Sequence, residues 1–170
     1  VVLTAQPNSN VVLQLISAST DEATSTSTVT FTTANWDTPQ DIIVTGVDDD
    51  IIDGTQNSVI TVSVLDAASD NNFDAVSDKT VSVSTTDDDV AGFTVTETGG
   101  STSVTEAGGT DTFTVVLNAQ PDSDVVVAIT SSDNGEASSN SPLTFTSSNW
   151  DTPQTVTVTG VDDFLIDGTI

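Results

Sequence analysis

The sequence has no cysteine, methionine, histidine, tyrosine or arginine, and Lys79 is its one basic side chain. Each absence removes a class of explanation. Without cysteine there is no disulfide and no thiolate nucleophile or metal ligand. Without histidine no side chain titrates near neutrality to move protons, and no imidazole can hold a metal. With these groups missing and Lys79 in a polar stretch, catalysis is not expected, and neither is an organic cofactor. No apolar run approaches the roughly 18 residues that a membrane-spanning helix needs, so membrane insertion is not expected. The lack of basic clusters excludes nucleic acid and anionic lipid surfaces as partners, because both are negatively charged.

What the chain does contain is acid. Among 170 residues there are 26 Asp and Glu, and the formal net charge is −25. Only Glu22, Glu97, Glu106 and Glu136 are Glu, and the other acids are all Asp. Asp favours turns and caps where Glu favours helix, so this bias argues against helices. Thr, Val and Ser make up most of the remainder, and the β-branched pair suits a pleated, half-buried surface. So many like charges with so few cations must be screened or bridged. High ionic strength, which shortens the Debye length to about 3 Å at 1 M salt, is one remedy. Divalent cations held by carboxylate clusters are the other, and both are at hand outside cells. An extracellular or cell-surface setting follows as the expectation.

The chain repeats itself. Val1-Val2-Leu3-Thr4-Ala5-Gln6-Pro7 returns as Val115-Val116-Leu117-Asn118-Ala119-Gln120-Pro121, and Asn35-Trp36-Asp37-Thr38-Pro39-Gln40 as Asn149-Trp150-Asp151-Thr152-Pro153-Gln154. Every match has one ungapped offset of about 114 residues, too long for a solenoid turn and right for one sandwich domain per repeat. Residues 1–89 read as the back part of one repeat, lacking its opening strands. Residues 90–170 read as the front part of the next, lacking its closing strands. Val1-Val2-Leu3 reads as mid-strand, which sets the expectation of a window on a longer polypeptide. Strand exchange between neighbouring chains is the alternative.

Alternation at period 2 marks strands at 58–65, 80–84, 93–96, 113–117, 125–129, 143–145 and 155–159, separated by polar turns. No stretch shows an apolar period of 3.6. About seven strands per repeat predict an all-β fold of tandem antiparallel β-sandwiches. Strands 113–117 and 125–129 are expected to form a hairpin around Gln120-Pro121-Asp122-Ser123. Trp36 and Trp150 are expected to plug a sandwich edge, since neither has an aromatic neighbour with which to stack a sugar.

Three acidic clusters stand out. Asp48, Asp49, Asp50 and Asp53 are echoed by Asp162, Asp163 and Asp167; Asp87, Asp88 and Asp89 follow the last strand of the first copy; Glu106 and Asp133 are sparser. Solvated turns are one reading of such runs. Calcium is the other, because Ca²⁺ takes six to eight oxygen ligands from flexible loops.

The segment Thr105-Glu106-Ala107-Gly108-Gly109-Thr110-Asp111-Thr112-Phe113 resembles the opening of a Calx-β domain. Asp48-Asp49-Asp50-Ile51-Ile52-Asp53-Gly54 resembles that family's middle acidic loop, and Thr85-Thr86-Asp87-Asp88-Asp89 its closing motif. The likeness keeps the motif order over the whole period. It implies an Ig-like sandwich that binds calcium at one end, and it carries the ligand role to Glu106, Asp133, Asp162, Asp163 and Asp167 in the second copy. In the first copy it carries that role to Asp48, Asp49, Asp53, Asp87, Asp88 and Asp89. Phe164 stands where the first copy has Asp50, and Ser19 where the second has Asp133. The implied function is a structural repeat of a bacterial surface or filament protein, rigidified by calcium and partnered by neighbouring repeats. An adhesin module that binds a glycan or protein receptor is the alternative.

Overall fold

The computed structural model describes residues 1–164; the predicted ligand Asp167 lies outside the described residues. It is all-β apart from three short 3-10 turns. The strands are β1 (Val11–Ser17), β2 (Ala23–Ser25), β3 (Thr28–Phe31), β4 (Val44–Gly46), β5 (Gln56–Val64), β6 (Lys79–Thr85), β7 (Phe93–Glu97), β8 (Thr110–Leu117), β9 (Val125–Val127), β10 (Ala137–Ser139), β11 (Leu143–Phe145) and β12 (Gln154–Gly160). No described helix is long and apolar enough to cross a membrane. The chain divides into two compact units, Val1–Asp49 with Asp53–Asp87, and Asp88 onward with Asp50–Ile52.

In the first unit an antiparallel sheet runs β3-β1-β5-β6, and β2 pairs with β4 in a separate ribbon. The side-chain period of 2 explains the burial. In β1, Val11, Leu13 and Leu15 turn inward, and in β3, Val29 and Phe31 do the same. Together with Ile60 they form the core, and Leu3 and Ile42 pack on it from outside that sheet. Phe31 is fully buried. A ring of that size contributes about 1.5–3 kcal/mol by leaving water.

In the second unit the four-stranded antiparallel sheet is β10-β12-β8-β7, and β9 pairs with β11. Its core joins Val115, Leu117 and Val156 from the larger sheet to Leu143 and Phe145 from the smaller one. Side chains from two layers meeting in one core make the unit β-sandwich-like.

Shifted by the repeat, β9, β10 and β11 stand for β1, β2 and β3, and the end of β12 stands for β4. Each unit therefore completes a different four-stranded sheet and holds two strands of the other. The repeat has two four-stranded sheets, eight strand positions against the seven expected. The extra one is Ala23–Ser25, repeated as Ala137–Ser139, too short and too polar to show alternation. The expected hairpin is also corrected. β8 pairs with β12 and β7, while β9 pairs with β11, so the Gln120–Ser123 turn passes from one sheet to the other. Alternation alone cannot separate these cases, because both send Val115 and Val127 into one core.

The recurring Asn-Trp-Asp-Thr-Pro segment is a turn held by its Asn. Asn35 Oδ1 accepts from the Thr32 amide at 2.6 Å and the Thr32 hydroxyl at 2.9 Å. Asn149 repeats this with Thr146 at 2.6 and 3.2 Å. Leu3 and Leu117 then donate their amides to the carbonyls of Trp36 and Trp150, both at 3.1 Å. Trp150 is half-buried against the core of its unit. In the first unit a second pin is Asp70, whose carboxylate accepts from the amides of Asn8 (2.5 Å), Ser9 (3.2 Å) and Asn72 (3.0 Å). Those amides hold its carboxyl below the usual range, outweighing its burial.

Candidate functional site

The acidic loops of the first unit meet around Glu22, on the turn between β1 and β2. The Glu22 carbonyl accepts the Val47 amide at 2.9 Å and the Thr85 hydroxyl at 3.1 Å. These bonds draw together the turn before β2, the loop after β4 and the end of β6. The Asp87 carboxylate then accepts the Gly54 amide at 2.7 Å, which closes the acidic loop against the end of β6. Gly54 has a φ of 72°, a left-handed turn that glycine enters without steric cost. Partial burial first, then the charges of Asp53, Asp49 and Asp21, push the Glu22 carboxyl above its ordinary value. Like charges have been brought near one another, and the group between them resists ionising.

The second unit repeats part of this frame. The Val161 amide donates to the Glu136 carbonyl at 2.9 Å, just as Val47 does to Glu22. Glu136 and Glu22 are both half-buried. The loop carrying Glu106 reaches the same end. The Ser103 amide donates to Asp111 Oδ2 at 2.8 Å, and Thr105 to Gly109 form a tight turn closed by Gly109 N to Thr105 O at 3.0 Å. The amides of Ser103 and Thr112 hold the Asp111 carboxyl below its usual range. Gly160 at the end of β12 donates to Gly109 O at 2.9 Å, and a side chain on Gly160 would overlap the Thr105 carbonyl. The absence of a Cβ there lets the Glu106 turn lie against the strand that leads into Asp162 and Asp163. Asp133 folds back on its own loop, with Oδ1 accepting from Gly135 N at 2.9 Å and its carbonyl from Ala137 N at 3.1 Å.

Of the predicted residues, Asp49, Asp53 and Asp87 therefore share one end of the first unit, and Asp48 lines an open groove there with Gly46, Val47 and Thr85. Glu106, Asp133, Asp162 and Asp163 lie on loops that meet at the end of β12. Asp88 and Asp89 fall in the connection between β6 and β7, past the last residue of the first unit. Among the described residues no three acidic side chains are gathered closely enough to hold one metal ion as they stand.

Sequence reasoning passed over Glu22 and Glu136. A signal was available, since Glu22-Ala23 returns as Glu136-Ala137 at the repeat offset, and these are two of only four Glu in the chain. The donors at both ends are oxygen throughout, which is the chemistry calcium takes. Compared with known proteins, the chain matches no family model, no curated protein and no solved structure.

Proposed function

We propose that this chain is a calcium-binding structural repeat of an extracellular surface or filament protein. In this reading the repeat is an Ig-like sandwich of Calx-β type, and calcium binds where the acidic loops meet at one end. The observation that carries it is the pair of matching amide bonds, Val47 to Glu22 and Val161 to Glu136, each 2.9 Å. They put a half-buried Glu beside an Asp-Asp pair in both copies. In the first unit Glu22, Asp48, Asp49, Asp53 and Asp87 would supply the oxygens, and in the second Glu106, Glu136, Asp162 and Asp163. Calcium bound there would offset the burial and the neighbouring charges that raise the Glu22 carboxyl. Near-equivalent copies suit a spacer or shaft, where every unit does the same work.

The test is a calorimetric titration of the chain with Ca²⁺ and, separately, Mg²⁺ at fixed ionic strength. Saturable calcium binding is expected, with weaker magnesium binding because the smaller ion demands a more rigid octahedron. Glu22→Gln should weaken one calcium site by about tenfold or more, the loss expected from removing one carboxylate ligand. Heats for both ions that match dilution would sink the proposal.

A further inference from the structure

The turn between β9 and β10 is the turn between β1 and β2 made a second time. Ser131 Oγ donates to Asp133 O at 2.7 Å and accepts the Asp133 amide at 3.1 Å, as Ser17 does with Ser19 at 2.9 and 3.3 Å. Ala137 N donates to Asp133 O at 3.1 Å, as Ala23 N does to Ser19 O at 3.1 Å. Inside this shared frame the first copy has Thr20-Asp21 and the second has Asn134-Gly135. The fold therefore closes the turn without an Asn-Gly step. Gly135 does not have a positive φ, and a Cβ on it would meet only the tip of the Asp133 side chain, at 3.1 Å. Backbone conformation does not call for glycine here.

Asn-Gly is the step at which a side-chain amide is most readily attacked by the next backbone nitrogen, because glycine puts no Cβ in the way of ring closure. Asn134 and Gly135 are both exposed. Asp133 sits directly on the reacting group. Its Oδ1 accepts the Gly135 N–H at 2.9 Å, a charge-assisted bond that holds the proton the attack must release. Ser19, the counterpart of Asp133, keeps the same turn with no carboxylate.

We propose that Asn134-Gly135 is a self-modification site, a slow deamidation step on which Asp133 is the brake. The Gly135 nitrogen attacks Asn134 Cγ. The N–Cγ bond forms, the Cγ–Nδ2 bond breaks, and Nδ2 leaves as ammonia with the proton given up by the Gly135 amide. Water then opens the succinimide ring at one carbonyl or the other, leaving aspartate or isoaspartate at 134. Nothing is oxidised or reduced. Either product adds one negative charge to the −25 of the chain, between Asp133 and Glu136. Isoaspartate also lengthens the backbone by one methylene just before Glu136, whose carbonyl holds the Val161 amide at 2.9 Å. The site rests on this turn and its counterpart in the first copy, independently of calcium.

The experiment incubates the full chain and its Asp133→Ser and Gly135→Asp variants in warm neutral buffer with EDTA. Each variant takes the residue that the first copy has at that place, and amide hydrogen exchange at Ala137 and Val161 verifies that the turn is kept. Released ammonia gives the rate, and peptide mass spectrometry locates aspartate and isoaspartate. Asp133→Ser should convert at 134 about tenfold faster than the unaltered chain, as the loss of one charge-assisted hydrogen bond allows. Gly135→Asp should leave Asn134 intact over the same period. No conversion at 134 in Asp133→Ser, equal rates with and without the Asp133 carboxylate, or equal conversion in Gly135→Asp would overturn the proposal. Working in EDTA separates this result from any failure of the calcium reading.

Discussion

Glu22 and Asp70 are two carboxylates moved in opposite directions by their surroundings, and each predicts a pH dependence. Glu22 is pushed up by burial and by Asp53, Asp49 and Asp21. A raised carboxyl contributes stability that is fully present below its unfolded value, about 4.3 for Glu, and lost as pH rises through the folded value. At neutral pH without calcium the ionised carboxylate therefore bears both the cost of burial and the repulsion of its acidic neighbours. Glu22→Gln should then raise the melting temperature in EDTA, and the gain should vanish toward pH 4. A melt series from pH 4 to 7 checks both. Asp70 is the one buried polar or charged side chain among the described residues, and its amide partners lower its carboxyl. Its stabilisation is present above the unfolded Asp value of about 3.9 and is lost as pH falls through the lower folded value. Asp70→Asn should lower the melting temperature at pH 7 and flatten the acid limb of the curve below about pH 4. Sequence could not single out Asp70 among so many Asp, because beyond the local amide of Asn72 its partners are Asn8 and Ser9, distant in the chain. Glu22 was legible only through the repeat, since a single Glu between Asp21 and Ala23 reads as an ordinary solvated turn.

The strands show where pattern is informative and where it stops. Alternation locates β5, β6, β8 and β12 to within a few residues, because one face of each meets a core and period 2 follows. It says nothing of partners. β8 and β9 read as a hairpin, yet they lie in opposite sheets, since inward-facing residues look alike from either side of a core. Glycines in the two copies likewise look alike and differ in consequence. Gly46 and Gly160 occupy the same repeat position. A Cβ on Gly46 would meet Thr85 Cγ2 at 3.6 Å, an ordinary contact, whereas one on Gly160 would overlap the Thr105 backbone. Gly160→Ala should cost about 1–3 kcal/mol, as overpacking against backbone does. Gly46→Ala should change stability by less than about 0.5 kcal/mol, as substitutions without steric conflict do. Denaturant titration of the two variants measures the difference, and equal effects would contradict the placement of the Glu106 turn against β12.

For the whole molecule the dominant fact is charge. A formal charge of −25 on 170 residues, with one Lys, leaves self-repulsion that the small cores of the two units must overcome. Both salt and calcium should stabilise such a chain, but by different routes. Monovalent salt screens every carboxylate alike, so its effect grows smoothly and levels off as the Debye length shrinks to a few ångströms. On the proposed reading, calcium held by the loops at Glu22, Asp49, Asp53 and Asp87, or at Glu106, Glu136, Asp162 and Asp163, would stabilise by mass action. That gain rises by about 1.4 kcal/mol for each tenfold excess of free ion over the dissociation constant. The decisive measurement is a thermal melt of the full chain in EDTA and in millimolar Ca²⁺, with ionic strength held equal by NaCl. A melting temperature that climbs with the logarithm of free calcium, by several degrees beyond the NaCl control, is the predicted result. Curves that superimpose at equal ionic strength would contradict a calcium-binding repeat and leave the acidic loops as solvated turns.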